Sequence, residues 1–113
     1  MNNYDTLLSA LDKGLYLDNS LEMIKICQDL SNQNTQYAWV FFIFNTLFDD
    51  IIYNLEDRPV KVSEVDYLEK NISPHIKAII GHLIARDSIS QIADQVNILV
   101  LNFPNYLTNL HNI

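Results

Sequence analysis

The sequence predicts an all-α fold, a compact single-domain bundle of five to six helices spanning residues 1–113. Three observations carry that expectation. Only two glycines and three prolines punctuate 113 residues, too few for the turns of an all-β domain. Apolar residues recur at helical spacing in almost every segment between those breaks. With 49% hydrophobic residues, fourteen of them isoleucine, the chain has material for a core without disulfides or metal staples. One cysteine, Cys27, rules out an internal disulfide framework.

Each element has its own signal. A first helix is expected over about Thr6–Lys13, with Asp5 as N-cap and Gly14 at the C′ position. A second runs from Ser20 to Leu30 on a stripe of Met23, Ile26, Cys27 and Leu30, widened by Leu21 and Ile24. Asn34 or Thr35 is positioned to cap a long third helix ending near Leu55, and Arg58-Pro59 breaks the chain after it. Ser63-Glu64-Val65-Asp66 reads as a capping box opening a helix through Lys70. Ser73-Pro74 reads as an N-cap followed by proline at N1, before Ile76, Ile79, Ile80, Leu83 and Ile84. Ser88 or Ser90 starts a last helix carrying Ile89, Ile92, Ala93, Val96, Leu99, Val100 and Phe103. Pro104 is expected to stop it, leaving at most one loose turn over residues 105–113. Gly81, inside the fifth helix, is expected to permit close helix packing.

Charge is distributed unevenly. The formal net charge is −7. Residues 1–57 hold nine acids against Lys13 and Lys25, while residues 58–113 hold five acids and five bases. An acidic surface disfavours nucleic acid and anionic membrane and suits a basic protein partner. The first apolar cluster, Leu7, Leu8 and Leu11, is interrupted by Asp5, Asp12 and Lys13, unlike the continuous apolar core of a signal peptide. The longest apolar run, 37–44, is well short of the roughly 20 residues that span a bilayer. Together with the single cysteine, these features point to a cytoplasmic protein.

Helix three breaks a local preference. Tyr37, Phe41, Phe44, Phe48, Ile51, Ile52 and Leu55 form its core face. The opposite side is aromatic first, with Trp39, Phe42 and Ile43, then polar and acidic, with Thr46, Asp49, Asp50, Tyr53 and Asp57. Asp49, Asp50, Glu56 and Asp57 crowd the C-terminal part, where the helix dipole disfavours carboxylates. Trp39, Phe42, Thr46, Asp49, Asp50, Tyr53, Glu56 and Asp57 therefore make a candidate partner-binding surface. The competing explanation buries Trp39, Phe42 and Ile43 against a second helix layer and neutralises the acids with Arg58, Lys61 or Lys77. For the aromatics, burial is the favoured reading. Ile98 and Leu101 lie opposite the main stripe of the last helix, so that helix is either central or has a second face for self-association. The central position is favoured.

Catalytic motifs are missing from the sequence. Asp49-Asp50 suggests an aspartate-rich diphosphate-binding motif, but Tyr53 stands where a third carboxylate is needed. Adjacent residues also diverge by 100° around a helix. His75 and His82 are seven apart, whereas helical metal pairs prefer four. With Asp87 nearby they lack the adjacent His-Asp pair of HD-type hydrolases. Two glycines cannot build a phosphate loop, no serine sits in a nucleophile elbow, and the last helix has no Lys or Arg with which to read DNA. The expectation is a non-enzymatic acidic module, without cofactor or metal, that neutralises or regulates a basic protein. An immunity protein or antitoxin against a nuclease-type toxin, or a phage-type inhibitor, fits that description. The alternatives are a homo-oligomeric assembly subunit pairing through the 89–103 helix, and a small divalent-metal hydrolase using Asp49, Asp50, Glu22 or His82.

Overall fold

The structure is a computed structural model that describes residues 3–13, 17–55 and 61–112, with side chains for 4–13, 19–53 and 61–101. Its elements are α1 (Asn3–Asp12), α2 (Leu17–Gln33), a 3-10 turn (Thr35–Tyr37), α3 (Ala38–Leu55), α4 (Val62–Asn71), α5 (Ser73–Ile84) and α6 (Ile89–Asn112). The all-α class expected from the sequence is the class observed. The chain divides into two compact units, Met1–Val60 and Lys61–Ile113.

In the first unit α2 packs on both α1 and α3. Leu7, Ala10 and Leu11 of α1 are buried with Met23, Cys27 and Leu30 of α2. From α3 come Val40, Phe41, Phe44, Leu47, Phe48 and Ile51, a stripe with the 3–4 spacing of a helix seated on a neighbour. The rings of Phe41, Phe44 and Phe48 follow one another at centroid separations of 6.1 and 6.4 Å, and Tyr4 of α1 approaches Phe41 at 6.3 Å. Burying each ring contributes about 1.5–3 kcal/mol, so this aromatic row is the main anchor of α3. Asn19, buried at the start of α2, donates from Nδ2 to the Ala10 carbonyl at 2.6 Å. The same carbonyl also accepts the Lys13 N–H at 3.1 Å, so Asn19 adds a second donor to the last turn of α1 and ties α2 to it.

The second unit is an aliphatic stack. Leu68, Ile72, Ile76, Ile79, Ile80 and Leu83 are buried along α4 and α5, and Ile92, Val96 and Leu99 of α6 are buried as well. α5 packs on both α4 and α6.

Several helix ends differ from the sequence reading. α1 begins at Asn3, which places Asp5 in its first turn instead of at the N-cap; the carboxylate there complements the positive end of the dipole. Gly14 lies outside the described residues, as do Glu56, Asp57, Arg58 and Pro59. Asn34 does stand at the N-cap position of the 3-10 turn that leads into α3, its carbonyl accepting the Tyr37 N–H at 3.0 Å, but its side chain makes no cap bond. Its backbone N–H and its Nδ2 both donate back to the Leu30 carbonyl of α2, at 2.9 and 3.2 Å. The N-cap of α4 is Lys61, with Glu64 at N3, so the expected box is two residues out of register. A lysine side chain cannot accept, and the half that forms is Glu64 Oε1 accepting from the Lys61 N–H at 3.2 Å. Ser73 and Pro74 sit inside α5 behind the N-cap Ile72, a position proline tolerates because that N–H has no intrahelical partner.

At α6 the capping box is complete. Ser88 Oγ accepts from the Gln91 N–H at 3.2 Å, and Gln91 Oε1 accepts from the Ser88 N–H at 3.1 Å. Pro104 does not end this helix, which continues to Asn112. Proline removes one N–H donor but leaves the rest of the ladder able to resume. Among the described residues nothing lies within 4 Å of a Cβ built on Gly81, so the expected close approach of helices is not seen there.

Candidate functional site

The surface of α3 follows directly from how it is anchored. With Val40, Phe41, Phe44, Leu47, Phe48 and Ile51 facing inward, Trp39, Phe42, Thr46, Asp49 and Tyr53 are turned outward as one exposed stripe. Their spacing of 3, 4, 3 and 4 keeps them on one side over roughly 21 Å of helix. The favoured expectation for the aromatics, burial beneath a second layer, does not hold. Phe42 is 72% exposed, Tyr53 80% and Trp39 37%. Ile43, beside them, is half-buried. An exposed large apolar side chain is unremarkable singly, but three aromatics aligned on one stripe are not a normal solvated helix face.

The polar members are individually placed. Thr46 Oγ1 donates to the Phe42 carbonyl one turn back, at 3.0 Å, so its donor is already used and it offers only an acceptor outward. Asp49 is exposed and makes no hydrogen bond or ion pair among the described residues. Asp50 is half-buried, and its carboxyl titrates above the usual aspartate range. Desolvation by burial is the larger cause, with the neighbouring Asp49 charge adding to it. The helix dipole, expected to disfavour these carboxylates, does not reach them. α3 ends at Leu55, so both lie before its last turn, and the dipole effect fades within that turn. The strain on Asp50 comes from burial and from its neighbour.

Beside the stripe, α2 and α3 leave a groove of about 300 Å³ lined by Gln28, Ser31, Asn32, Phe42 and Asn45. Phe42 is common to both features. Four of the five lining residues carry amides or a hydroxyl, and Asn45 Oδ1 is buried there with no hydrogen-bond partner among the described residues. Sequence reasoning missed Gln28, Ser31, Asn32 and Asn45. Nothing in their own spacing marks them, because the groove exists only once α2 and α3 pair.

In the second unit, His82 Nδ1 and Asp87 Oδ2 are 2.6 Å apart, across the turn that ends α5. Arg86 takes a left-handed conformation there (φ 57°). Asp87 N–H donates to the His82 carbonyl at 3.0 Å and Arg86 N–H to that of Leu83 at 3.2 Å, the paired bonds of a Schellman ending. The histidine and aspartate meet because the turn folds back on the helix end. Cys27 is buried, and burial pushes its thiol up to about 12. Among the described residues no three His, Cys, Asp or Glu side chains are grouped to hold a metal ion. Nor is any described helix long and apolar enough to cross a membrane.

The features define a small all-α protein whose notable surface is an aromatic–acidic stripe with an amide-lined groove at its flank. No family model, curated protein or solved structure matches the chain.

Proposed function

We propose that the chain is a protein-binding module that docks a basic partner through the exposed stripe of α3. The observation that carries this reading is the stripe itself, where Trp39, Phe42 and Tyr53 share one outward side with Asp49 and no lysine or arginine occurs anywhere on α3. Aromatic anchors rimmed by charge are the composition of binding hot spots. Negative charge beside them accelerates encounter with a cationic surface. Asp50 supports the same reading, since a half-buried carboxylate next to another one costs stability that a bound cation restores. A partner of the toxic-nuclease type, held inactive by an immunity protein or antitoxin in the cytoplasm, fits that chemistry. A phage-type inhibitor of a basic host enzyme fits it equally.

The test is affinity capture from the native host with the wild-type chain, the Asp49→Lys/Asp50→Lys double variant and Phe42→Ala. A basic protein retained by the wild type should associate about tenfold more slowly with the charge-reversed variant, at unchanged helical content. Retention unaffected by both variants would remove the stripe from the binding surface.

A second reading has its own observation. On α6, Ile89, Val100 and Leu101 are 65%, 45% and 75% exposed, and Ile98 is 40% exposed. The central, doubly buried position expected for this helix is therefore not the one it has, and its outward apolar residues suit pairing of two copies. Sedimentation over a hundredfold concentration range tests this, with Leu101→Glu as the disrupting variant. A chain that stays monomeric throughout would dispose of it.

A further inference from the structure

Resting on the docking reading above, we infer that the groove between α2 and α3 receives an arginine side chain of the partner. Four features of the groove specify the guest. Phe42 offers an exposed ring on one wall, a face over which a planar cation stacks. Gln28, Ser31, Asn32 and Asn45 supply amide and hydroxyl oxygens around it. Asn45 Oδ1 is a buried acceptor without a donor, and the broad χ2 torsion of asparagine lets its amide turn toward the groove. Asp49, one helical turn beyond Asn45, provides an exposed carboxylate that no cation among the described residues engages.

Charge selects a cation over a neutral guest. Residues 17–55, which form the two walls and their connection, hold five acids and one base, Lys25. Glu22 and Asp29 flank that lysine at helical spacing on α2, so it does not reverse the sign of the groove. Shape and donor count then select arginine over lysine. A guanidinium is flat, presents five N–H donors in a fixed fork and sheds water readily, so it stacks on Phe42 while bonding several neutral oxygens at once. An ammonium is a strongly hydrated point charge that would forfeit that water for neutral amide acceptors. The volume of about 300 Å³ admits the end of one long side chain and excludes a helix or strand.

The experiment uses the full-length chain, isotopically labelled at nitrogen, titrated with blocked Gly-Arg-Gly and Gly-Lys-Gly tripeptides. The side-chain amide resonances of Gln28, Asn32 and Asn45 are followed. The arginine peptide should shift all three saturably, with a Kd near the millimolar range, and the lysine peptide should bind at least about fivefold more weakly. Phe42→Ala should weaken the arginine response about tenfold; because Phe42 is exposed, its backbone amide spectrum should stay that of the wild type. Equal responses to the two peptides, or no movement of these amides, would overturn the assignment. The captured partner separates this failure from failure of the docking reading. If charge reversal at Asp49 and Asp50 slows partner association while the groove amides ignore arginine, the docking surface stands and the arginine assignment falls. If the amides respond but partner association ignores both Phe42→Ala and the charge reversal, the groove binds arginine without serving that partner, and the inference is overturned as stated.

Discussion

At Cys27 the whole side chain is buried on the face of α2 that meets the core, and the thiol titrates near 12 in place of its ordinary 9. An unfolded chain therefore releases this proton first as pH rises. The folded form is favoured fully below about pH 9, and its advantage is lost progressively as pH climbs from there toward 12. Tyr4, whose phenol is also raised by burial and by the neighbouring Tyr37, acts in the same direction. Urea unfolding midpoints should fall above pH 9 more steeply in the wild type than in Cys27→Ala, and a thiol reagent should label Cys27 only on unfolding. Asp50 acts in the same direction but in the acidic range, so at neutral pH its advantage is already lost. Its raised pKa means that ionisation opposes folding, so its contribution is favourable at low pH and is lost as pH rises through the folded value. Asp50→Asn should raise the urea midpoint at pH 7, with the gain vanishing as the pH is lowered into the range where the wild-type carboxyl is protonated. An unchanged midpoint at pH 7 would mean the fold tolerates the charge freely. The sequence shows both residues as belonging to an apolar stripe and an acidic run. It does not show the direction of their titration, which depends on the packing of α3.

The helices themselves were largely legible, because an amphipathic stripe long enough to bury a face declares its own period. Phe41, Phe44, Phe48 and Ile51 are core in the structure as their spacing requires, and so are Ile76, Ile79, Ile80 and Leu83. Ends were harder, since capping depends on a few polar atoms and several residues at each boundary are chemically able to serve. Ser88 met its Gln91 partner, whereas Ser63 and Ser73 were displaced by Lys61 and Ile72. Where a turn needs unusual backbone, the residue type misleads. Gly81 occupies an exposed helical position that needs no glycine, while Arg86, at φ 57°, occupies one that favours it. Gly81→Ala should therefore stabilise the protein by about 0.5–1 kcal/mol, and Arg86→Gly by up to about 1 kcal/mol. Chemical denaturation of the two single variants measures this. Loss of stability in Arg86→Gly would show that the arginine side chain supplies more than the backbone strain removes. The candidate site was legible only as a stripe. Trp39, Phe42, Thr46, Asp49 and Tyr53 follow from helical spacing alone, but whether they face solvent was decided by which other stripe of α3 met α2.

Over the whole molecule the charge asymmetry coincides with the structural division. Residues 1–60 contain nine acids and three bases, and residues 61–113 contain five acids and four bases, so six of the seven excess negative charges belong to the first unit. Concentrated like charge destabilises a compact state by self-repulsion. Salt relieves it, because the Debye length falls from about 30 Å at 0.01 M to about 3 Å at 1 M. Surface ion pairs respond in the reverse sense, but they contribute little; Lys70–Asp66, at 2.9 Å on an exposed turn of α4, is of the kind usually worth well under 1 kcal/mol. Repulsion should therefore win, and raising sodium chloride from about 0.01 to 0.5 M should increase Tm by a few degrees. Trp39, the sole tryptophan, lies in the acidic unit and reports its unfolding by fluorescence. The Asp49→Lys/Asp50→Lys variant replaces two negative charges by two positive ones, shifting the net charge of that unit by four, so it should start at a higher Tm in low salt and gain less on addition of salt. A Tm that falls with salt in the wild type would mean that attractive pairs outweigh the repulsion. The acidity would then be a structural network and not a surface kept in readiness for a cation.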